Sequence, residues 1–217
     1  MAEFRKIAVI GKAPSSVGLA PYADESWEIW ILNTLGSNKE VPRWDRQFEL
    51  HDLKLTQTPA HGNYYQWLTE QTKPIYTRDD PPTEFKNGIR FPLGAMLEHF
   101  RQQGLAGYNY LTNSVSMELA LALYEHDMQE KKVSDIGMWG VDMAQHGFAA
   151  GGHNGPFTSE YARQRPSVEF WCGVIAGRGI KLHIPAQSDF FVQAFPASAF
   201  GRTQTSSGSI PPCPAVP

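Results

Sequence analysis

The sequence predicts an α/β fold built on a doubly wound, mostly parallel sheet with helices on both faces. The first observation is a series of short apolar runs rich in β-branched residues, such as residues 6–10, which suit buried strands. The second is that helical stretches separate these runs, as parallel strands require. The third is the stretch 115–124, which is apolar on almost every side and suits a fully buried helix. Together they predict a Rossmann-like architecture.

The individual elements follow from apolar runs and turn residues along the chain. Strands are predicted at residues 6–10, 27–32, 46–51, 74–77, 108–111, 134–141 and 181–184. Helices are predicted directly after the turn at Gly11 and at residues 64–72, 91–101, 115–124 and 168–177, with Pro166 in the first turn of the last helix or kinking it. The stretches 77–88 and 144–158 are predicted to be loops.

Composition limits the domain organisation and the class of partner. The 217 residues suit one α/β nucleotide-binding domain at residues 1–193, followed by a tail at residues 194–217 that is either disordered or a recognition segment. A net charge of −3 argues against a dominant nucleic-acid-binding surface but leaves room for a local basic patch. Two cysteines exclude a disulfide framework, and neither a signal peptide nor a membrane span is recognisable. We therefore expect a cytoplasmic protein.

Polar residues follow the predicted strands at the positions where open parallel sheets bind ligands, beyond the carboxyl ends of the strands. We expect these residues to lie along one edge of the sheet. They are Gly11, Lys12, Pro14, Ser15 and Ser16 after the first strand, Asn33 after the second, Asn113, Ser114 and Ser116 after the strand at 108–111, and Asp142 after the strand at 134–141.

The first of these loops has the composition of an anion site. Gly11 permits close backbone approach, the start of a helix presents free N–H groups, and Lys12 adds a positive charge. Neither the GxxxxGK[ST] nor the GxGxxG pattern is present, so an ordinary strand–helix turn is the alternative. The serine-rich start of the helix at 115–124 repeats the pattern, and ordinary capping by Asn113 or Ser114 is its alternative.

Several side chains could perform acid–base or phosphate chemistry. Asp142 could bind Mg²⁺, a ribose hydroxyl or an acceptor, or it could cap a turn. His153, like His146 in the same loop, could be a general base or a solvated histidine. Arg163 and Arg165 could clamp a phosphate or lie on a solvated helix face. No metal site is predicted, because the chain lacks Cys or His residues at metal-ligand spacing.

Three short motifs resemble a nucleotide-binding superfamily. They are Val9-Ile-Gly-Lys-Ala-Pro-Ser15, the helix that begins Asn113-Ser-Val-Ser116, and Ile136-Gly-Met-Trp-Gly-Val-Asp142. In this order they resemble motifs of the MptE-like (DUF115) pterin pyrophosphokinases and of the bacterial sialyltransferases of the CST type. The chain also resembles small bacteriophage proteins of this kind, for which the compartment would be the host cytoplasm.

The resemblance implies roles for individual residues. It places the nucleotide on Gly11, Pro14, Ser15 and Asn33 and on the serine-rich helix start at Ser114 and Ser116, and it matches Asp142 to the aspartate at the end of the family's strand. It makes Tyr161 a possible phosphate contact. Two departures are visible: His153 precedes Tyr161 although the sialyltransferase base follows the tyrosines, and Lys12-Ala13 replaces an asparagine and a glycine.

The leading functional hypothesis is a glycosyltransferase that uses a nucleotide-sugar donor. Lys12 with Arg163 or Arg165 would stabilise the leaving phosphate, and Asp142 or His153 would deprotonate the acceptor. The acceptor could be a glycan, a metabolite or a modified DNA base. Two alternatives stay open: a pyrophosphokinase that uses ATP and Mg²⁺, with Asp142 as metal ligand, and a nucleotide-binding protein without enzymatic activity.

Overall fold

A seven-stranded, entirely parallel sheet organises the molecule, in the spatial order β5-β4-β3-β2-β1-β6-β7. The structure is a computed structural model that describes residues 4–37, 41–143, 160–188 and 190, with side chains in the last helix described from residue 164 onward. The strands are β1 Arg5–Ile10, β2 Trp27–Leu32, β3 Arg46–Glu49, β4 Ile75–Thr77, β5 Gly88–Arg90, β6 Val133–Trp139 and β7 Lys181–His183. The predicted Rossmann-like α/β fold is confirmed.

The chain reverses its direction of travel across the sheet once, between β1 and β6. From β1 it proceeds outward through β2 to β5, and it then returns to add β6 and β7 on the other side of β1. Because parallel crossovers are right-handed, the two series of connections cover opposite faces. The connections that follow β1 and β6 therefore lead to opposite faces from the same point of the carboxyl edge, which is the usual place for a ligand in such sheets.

Long helices cover one face of the sheet. They are α3 Leu93–Gln102, α4 Ser114–Met128 and α5 Glu160–Gly177. Helix α4 is buried on nearly all sides, as its composition predicts, and Leu119 packs in the same core as Val9, Phe48 and Trp171.

Short elements cover the opposite face. They are the helices α1 Leu53–Thr56 and α2 Tyr64–Glu70 and the 3₁₀ helices Val17–Leu19, Asn33–Ser37 and Pro59–His61. The prediction of a regular helix after Gly11 is wrong, because only the three residues Val17–Leu19 are helical there. Gly18 and Pro21 disfavour a longer helix, and the Ser16 hydroxyl bonds outside the helix instead of capping it.

Other differences from the predictions have local causes. Residues 108–111 form the end of a turn and an irregular segment and not a strand, and the Tyr110 carbonyl accepts hydrogen bonds from Ser167 Oγ and Trp171 Nε1. Strand β5 lies at the end of the stretch predicted as a loop. Helix α5 begins at Glu160, eight residues before the predicted start, and Pro166 lies inside it.

Two predicted regions fall outside the described residues. They are the loop that contains His146 and His153, and the tail at residues 194–217. Within the part of the chain that the structure describes, no helix has the length and apolar character needed to cross a membrane.

Candidate functional site at the carboxyl edge

The loops after β1 and β6 touch through two glycines. The Gly11 N–H donates to the Trp139 carbonyl at 2.7 Å, and the Ala13 N–H donates to the Gly140 carbonyl at 2.8 Å. A Cβ on Gly11 would lie 2.2 Å from the Gly140 oxygen, and Gly140 itself has a φ of +67°. Gly11 thus allows close approach of another loop of the protein, a role distinct from the predicted approach of an anion.

Two serines and an aspartate join these loops. Ser15 Oγ donates to Asp142 Oδ1 at 2.7 Å, and the Gly140 N–H donates to the buried Ser16 Oγ at 2.9 Å. The structure therefore brings Ser15, Ser16 and Asp142 together, as the sequence predicts. The Ser16 hydroxyl is enclosed, whereas Ser15 and Asp142 are both partly exposed. Pro14 lies exposed on the same loop.

Lys12 of the β1 loop interacts with residues at the ends of β2 and β3. Its Nζ donates to Thr34 Oγ1 at 2.8 Å. Desolvation by neighbouring atoms lowers the pKa of the Lys12 ammonium although the residue is exposed, and the negative charge of Glu49 acts in the opposite direction. The lysine is therefore the cation of the β1 loop, and it lies within electrostatic range of a carboxylate at the end of β3.

Asn33 begins the 3₁₀ helix after β2 with a φ of +53°, a conformation that Asn tolerates better than most residues. Its carbonyl accepts hydrogen bonds from Tyr64 Oη at 2.6 Å and Gln47 Nε2 at 2.7 Å. Its side-chain Oδ1 is buried and has no donor among the described residues. Burial and the Glu49 charge raise the pKa of Tyr64 well above its ordinary value, so this phenol stays a hydrogen-bond donor.

A histidine and a glutamate at the end of β3 form a pair that the sequence analysis missed. His51 Nδ1 lies 3.0 Å from Glu49 Oε1, with the Glu49 side chain 2% exposed and that of His51 53% exposed. The strand prediction ran to residue 51, whereas β3 ends at Glu49. Recognising that end would have placed both side chains at the carboxyl edge.

The start of α4 is occupied by a capping box. Asn113 Oδ1 accepts from the Ser116 N–H at 2.8 Å, and the Asn113 N–H donates to Ser116 Oγ at 3.3 Å. Asn113 Nδ2 also donates to the Gln164 carbonyl of α5 at 3.2 Å. The capping role of Asn113 and Ser116 is thus established, and Ser114 is the first residue of the helix.

The remaining predicted residues are not brought into contact with this edge by the described atoms. Arg165 pairs with Glu169 at 2.7 Å and lies over the Phe190 ring. Tyr161 and Arg163 belong to α5, but their side chains, like the whole of His153, lie outside the described part. Within residues 4–37, 41–143 and 164–188, no cluster of three His, Cys, Asp or Glu side chains is placed to hold a metal ion.

An open cleft of about 630 Å³ lies at the opposite, amino edge of the sheet, next to the first residues of β1 and β2. Two ion pairs lie among its lining residues, Arg5 with Glu28 and Arg43 with Asp45. These pairs neutralise part of the charge that lines the amino-edge cleft.

Comparison with known proteins gives similarity at the level of the fold. No protein-family model and no curated protein matches the chain. Among solved structures, the sialyltransferase CstII from Campylobacter jejuni in complex with the substrate analogue CMP-3FNeuAc is similar, with a TM-score of 0.50 and 13% identity over 83% of this chain and 81% of that one. The same enzyme in complex with cytidine-5'-monophosphate gives a TM-score of 0.48 and 12% identity over 83% and 79%. The chain therefore has a sialyltransferase-like fold.

Proposed function

We propose that the protein is a glycosyltransferase that binds a nucleotide-sugar donor along the carboxyl edge of its sheet. The observation that carries this proposal is the convergence at that edge of Lys12 and the Ser15–Asp142 pair, next to the point where the chain reverses direction. The similar structure of CstII was determined with a CMP-sugar analogue, which supports the choice of donor class.

Each residue has a role that its contacts support. In the transfer, the bond from the sugar's anomeric carbon to the donor phosphate breaks, and the phosphate leaves with additional negative charge. The Lys12 ammonium stabilises that charge, because it lies on the loop that faces the reversal point. Asp142 orients the Ser15 hydroxyl by accepting its hydrogen bond. It also accepts a hydrogen bond from a hydroxyl group of the bound nucleotide sugar.

A thermal-shift panel tests the proposal. CMP-, UDP- and GDP-sugars are added to the protein in the presence of Mg²⁺, and release of the nucleotide is then measured for any sugar donor that stabilises it. We expect one donor class to raise the melting temperature, because a ligand that binds the folded state stabilises it. Absence of any shift across the panel contradicts the proposal.

Replacing Asp142 tests the site. Asp142→Asn keeps an oxygen that accepts the Ser15 hydroxyl, so we expect the fold to persist. We expect turnover to fall by roughly 10- to 100-fold, as for loss of a hydrogen bond to a charged group. The matched control is Asp80→Asn, at an exposed carboxylate in the loop before β5. Full turnover in Asp142→Asn shows that the donor is bound elsewhere.

A further inference from the structure

We propose that Thr34 is a positioning residue, which holds the Lys12 ammonium in place for the phosphate of the nucleotide-sugar donor. This inference rests on the proposed function, because that function assigns Lys12 to the leaving phosphate. A lysine ammonium is a compact charge on a flexible four-carbon stem, so its value to a bound phosphate depends on how well it is held. The contacts of Lys12 identify the group that holds it.

The Lys12 ammonium has one hydrogen-bond partner among the described residues. Its Nζ donates to Thr34 Oγ1 at 2.8 Å, which is an ordinary distance for a good hydrogen bond. An ammonium group carries three N–H donors, so the other two remain for the oxygens of a ligand. Lys12 is exposed and Thr34 is partly exposed, so a ligand at the carboxyl edge can reach the ammonium in this position.

The partner of the ammonium carries no charge. At the amino edge, the guanidinium of Arg5 contacts carboxylates, which neutralise it. The Thr34 hydroxyl instead orients the Lys12 ammonium and leaves its positive charge in place. Glu49 acts on the ammonium by its charge, whereas the group in contact is the hydroxyl. A cation that is held in this way can still attract a phosphate.

Thr34 is itself fixed to the core through the residue that precedes it. It is the second residue of the 3₁₀ helix Asn33–Ser37, which follows directly after β2. The Asn33 carbonyl accepts hydrogen bonds from Tyr64 Oη at 2.6 Å and from Gln47 Nε2 at 2.7 Å, and both of these side chains are buried. The hydroxyl of Thr34 therefore lies at a defined point of the edge, and the ammonium bonded to it does too.

Positioning the ammonium in advance improves binding of the donor. A long side chain that becomes ordered only when a ligand arrives loses its rotamer freedom at that moment, and this loss weakens binding by roughly 2- to 10-fold. The bond to Thr34 restricts the Lys12 side chain before the donor arrives. Thr34 thus acts on the donor through Lys12 and needs no contact of its own with the phosphate.

Two substitutions separate the hydroxyl of Thr34 from its shape. Thr34→Val keeps the branched side chain without the acceptor, and Thr34→Ser keeps the hydroxyl. Affinity is measured by isothermal titration with whichever CMP-, UDP- or GDP-sugar gives the wild type its largest rise in melting temperature. We expect a fall of roughly 2- to 10-fold for Thr34→Val and an affinity close to the wild type for Thr34→Ser. The matched control Thr72→Val, at an exposed threonine before β4, should bind as the wild type does.

A double-mutant cycle shows whether Thr34 acts through Lys12. The affinity for the same nucleotide sugar is measured for Lys12→Met, for Thr34→Val and for the double variant. Once the ammonium is absent, loss of the hydroxyl has nothing left to release, so the double variant should bind as Lys12→Met does. A general disturbance of the loop after β2 would instead multiply the two losses.

The outcomes separate this inference from the proposed function. Wild-type affinity in Thr34→Val, an equal loss in Thr34→Ser, or losses that multiply in the cycle overturn the inference while donor binding still supports the transferase. Full donor affinity in Lys12→Met also overturns it, because Thr34 then has no cation to position. A wild-type protein that binds no nucleotide sugar overturns both proposals.

Discussion

Charged side chains have different kinds of partner at the two edges of the sheet. At the amino edge, Arg5 and Arg46 each pair with Glu28 and Glu125 at distances of 2.5–2.8 Å, so every charge meets opposite charges on two sides. At the carboxyl edge, the Lys12 ammonium donates to a neutral hydroxyl and Asp142 accepts from one. The first arrangement holds strands and α4 together, and the second leaves charge available to a ligand.

Helix α4 shows the same contrast along one face. Glu118 and Glu125 are seven residues apart, nearly two helical turns, so both face the sheet. Glu125 binds Arg5 and Arg46, whereas neither oxygen of the fully buried Glu118 has a partner among the described residues. Burial raises the pKa of Glu118 well above its ordinary value. Among the described residues, this face of α4 is therefore ion-paired near its C-terminus, at the amino edge of the sheet, and unpaired at Glu118, nearer the carboxyl edge.

The largest effect should come from breaking the amino-edge network. Arg46→Met leaves Glu28 and Glu125 short of one partner and removes the guanidinium from the Trp30 ring, 4.7 Å away. We expect the free energy of unfolding in urea to fall by about 3 kcal/mol. The matched control Arg101→Met, in an exposed pair on α3, should be neutral. Donor binding should be unchanged, and weakened binding would show that the edges are not independent.

At the carboxyl edge, stability should depend on the two glycines and not on the charges. Gly140→Ala puts a side chain at a φ of +67° and a Cβ 2.3 Å from the Gly11 oxygen. We expect a loss of about 2 kcal/mol or more in the free energy of unfolding. The control Gly94→Ala near the start of α3, where a Cβ meets nothing within 4 Å, should be neutral or slightly stabilising. Equal stability of the two variants would contradict the close loop contact.

How far these contrasts could be predicted from the sequence depends on the length and burial of each element. Helix α4 and the strand before Asp142 could be predicted from the sequence, because both are buried in the core and therefore have long apolar patterns. Strand β5 could not be predicted from the sequence, since it has three residues and two of them are exposed. Residues 108–111 have strand-forming side chains, but the Tyr110 carbonyl bonds α5. The Glu49–His51 pair was not predicted because β3 ends two residues before the predicted strand does.

Removing the unpaired carboxyl of α4 should stabilise the protein at neutral pH. The folded state holds the Glu118 proton more tightly than the unfolded state does, so the free energy of unfolding falls as pH rises from the ordinary carboxyl pKa toward the raised one. The slope approaches about 1.4 kcal/mol per pH unit. We expect Glu118→Met to remove this slope and to add about 1–3 kcal/mol at neutral pH.

Urea denaturation between pH 4 and pH 8 checks this prediction. The control is Glu130→Gln, at an exposed carboxylate just beyond α4. If the pH dependence of Glu118→Met equals that of the wild type, then Glu118 is not a buried, proton-binding group.

The smallest effect should follow from removing the cation of the carboxyl edge. Lys12→Met loses the hydrogen bond to Thr34 and the charge for the donor phosphate, so donor affinity should fall about tenfold, or about 1.4 kcal/mol. Isothermal titration with the donor identified in the panel measures it. Lys86→Met, at an exposed lysine before β5, is the control. An affinity unaffected by Lys12→Met but reduced by Lys86→Met would place the donor away from this edge.

Hydrogen–deuterium exchange with and without that donor tests the central claim, that the carboxyl edge is the functional one. We predict slower exchange on binding in residues 11–16, 33–34, 49–52 and 140–142, with no change in residues 4–6, 25–28 and 43–45 around the amino-edge cleft. Protection confined to the amino-edge segments would contradict the account.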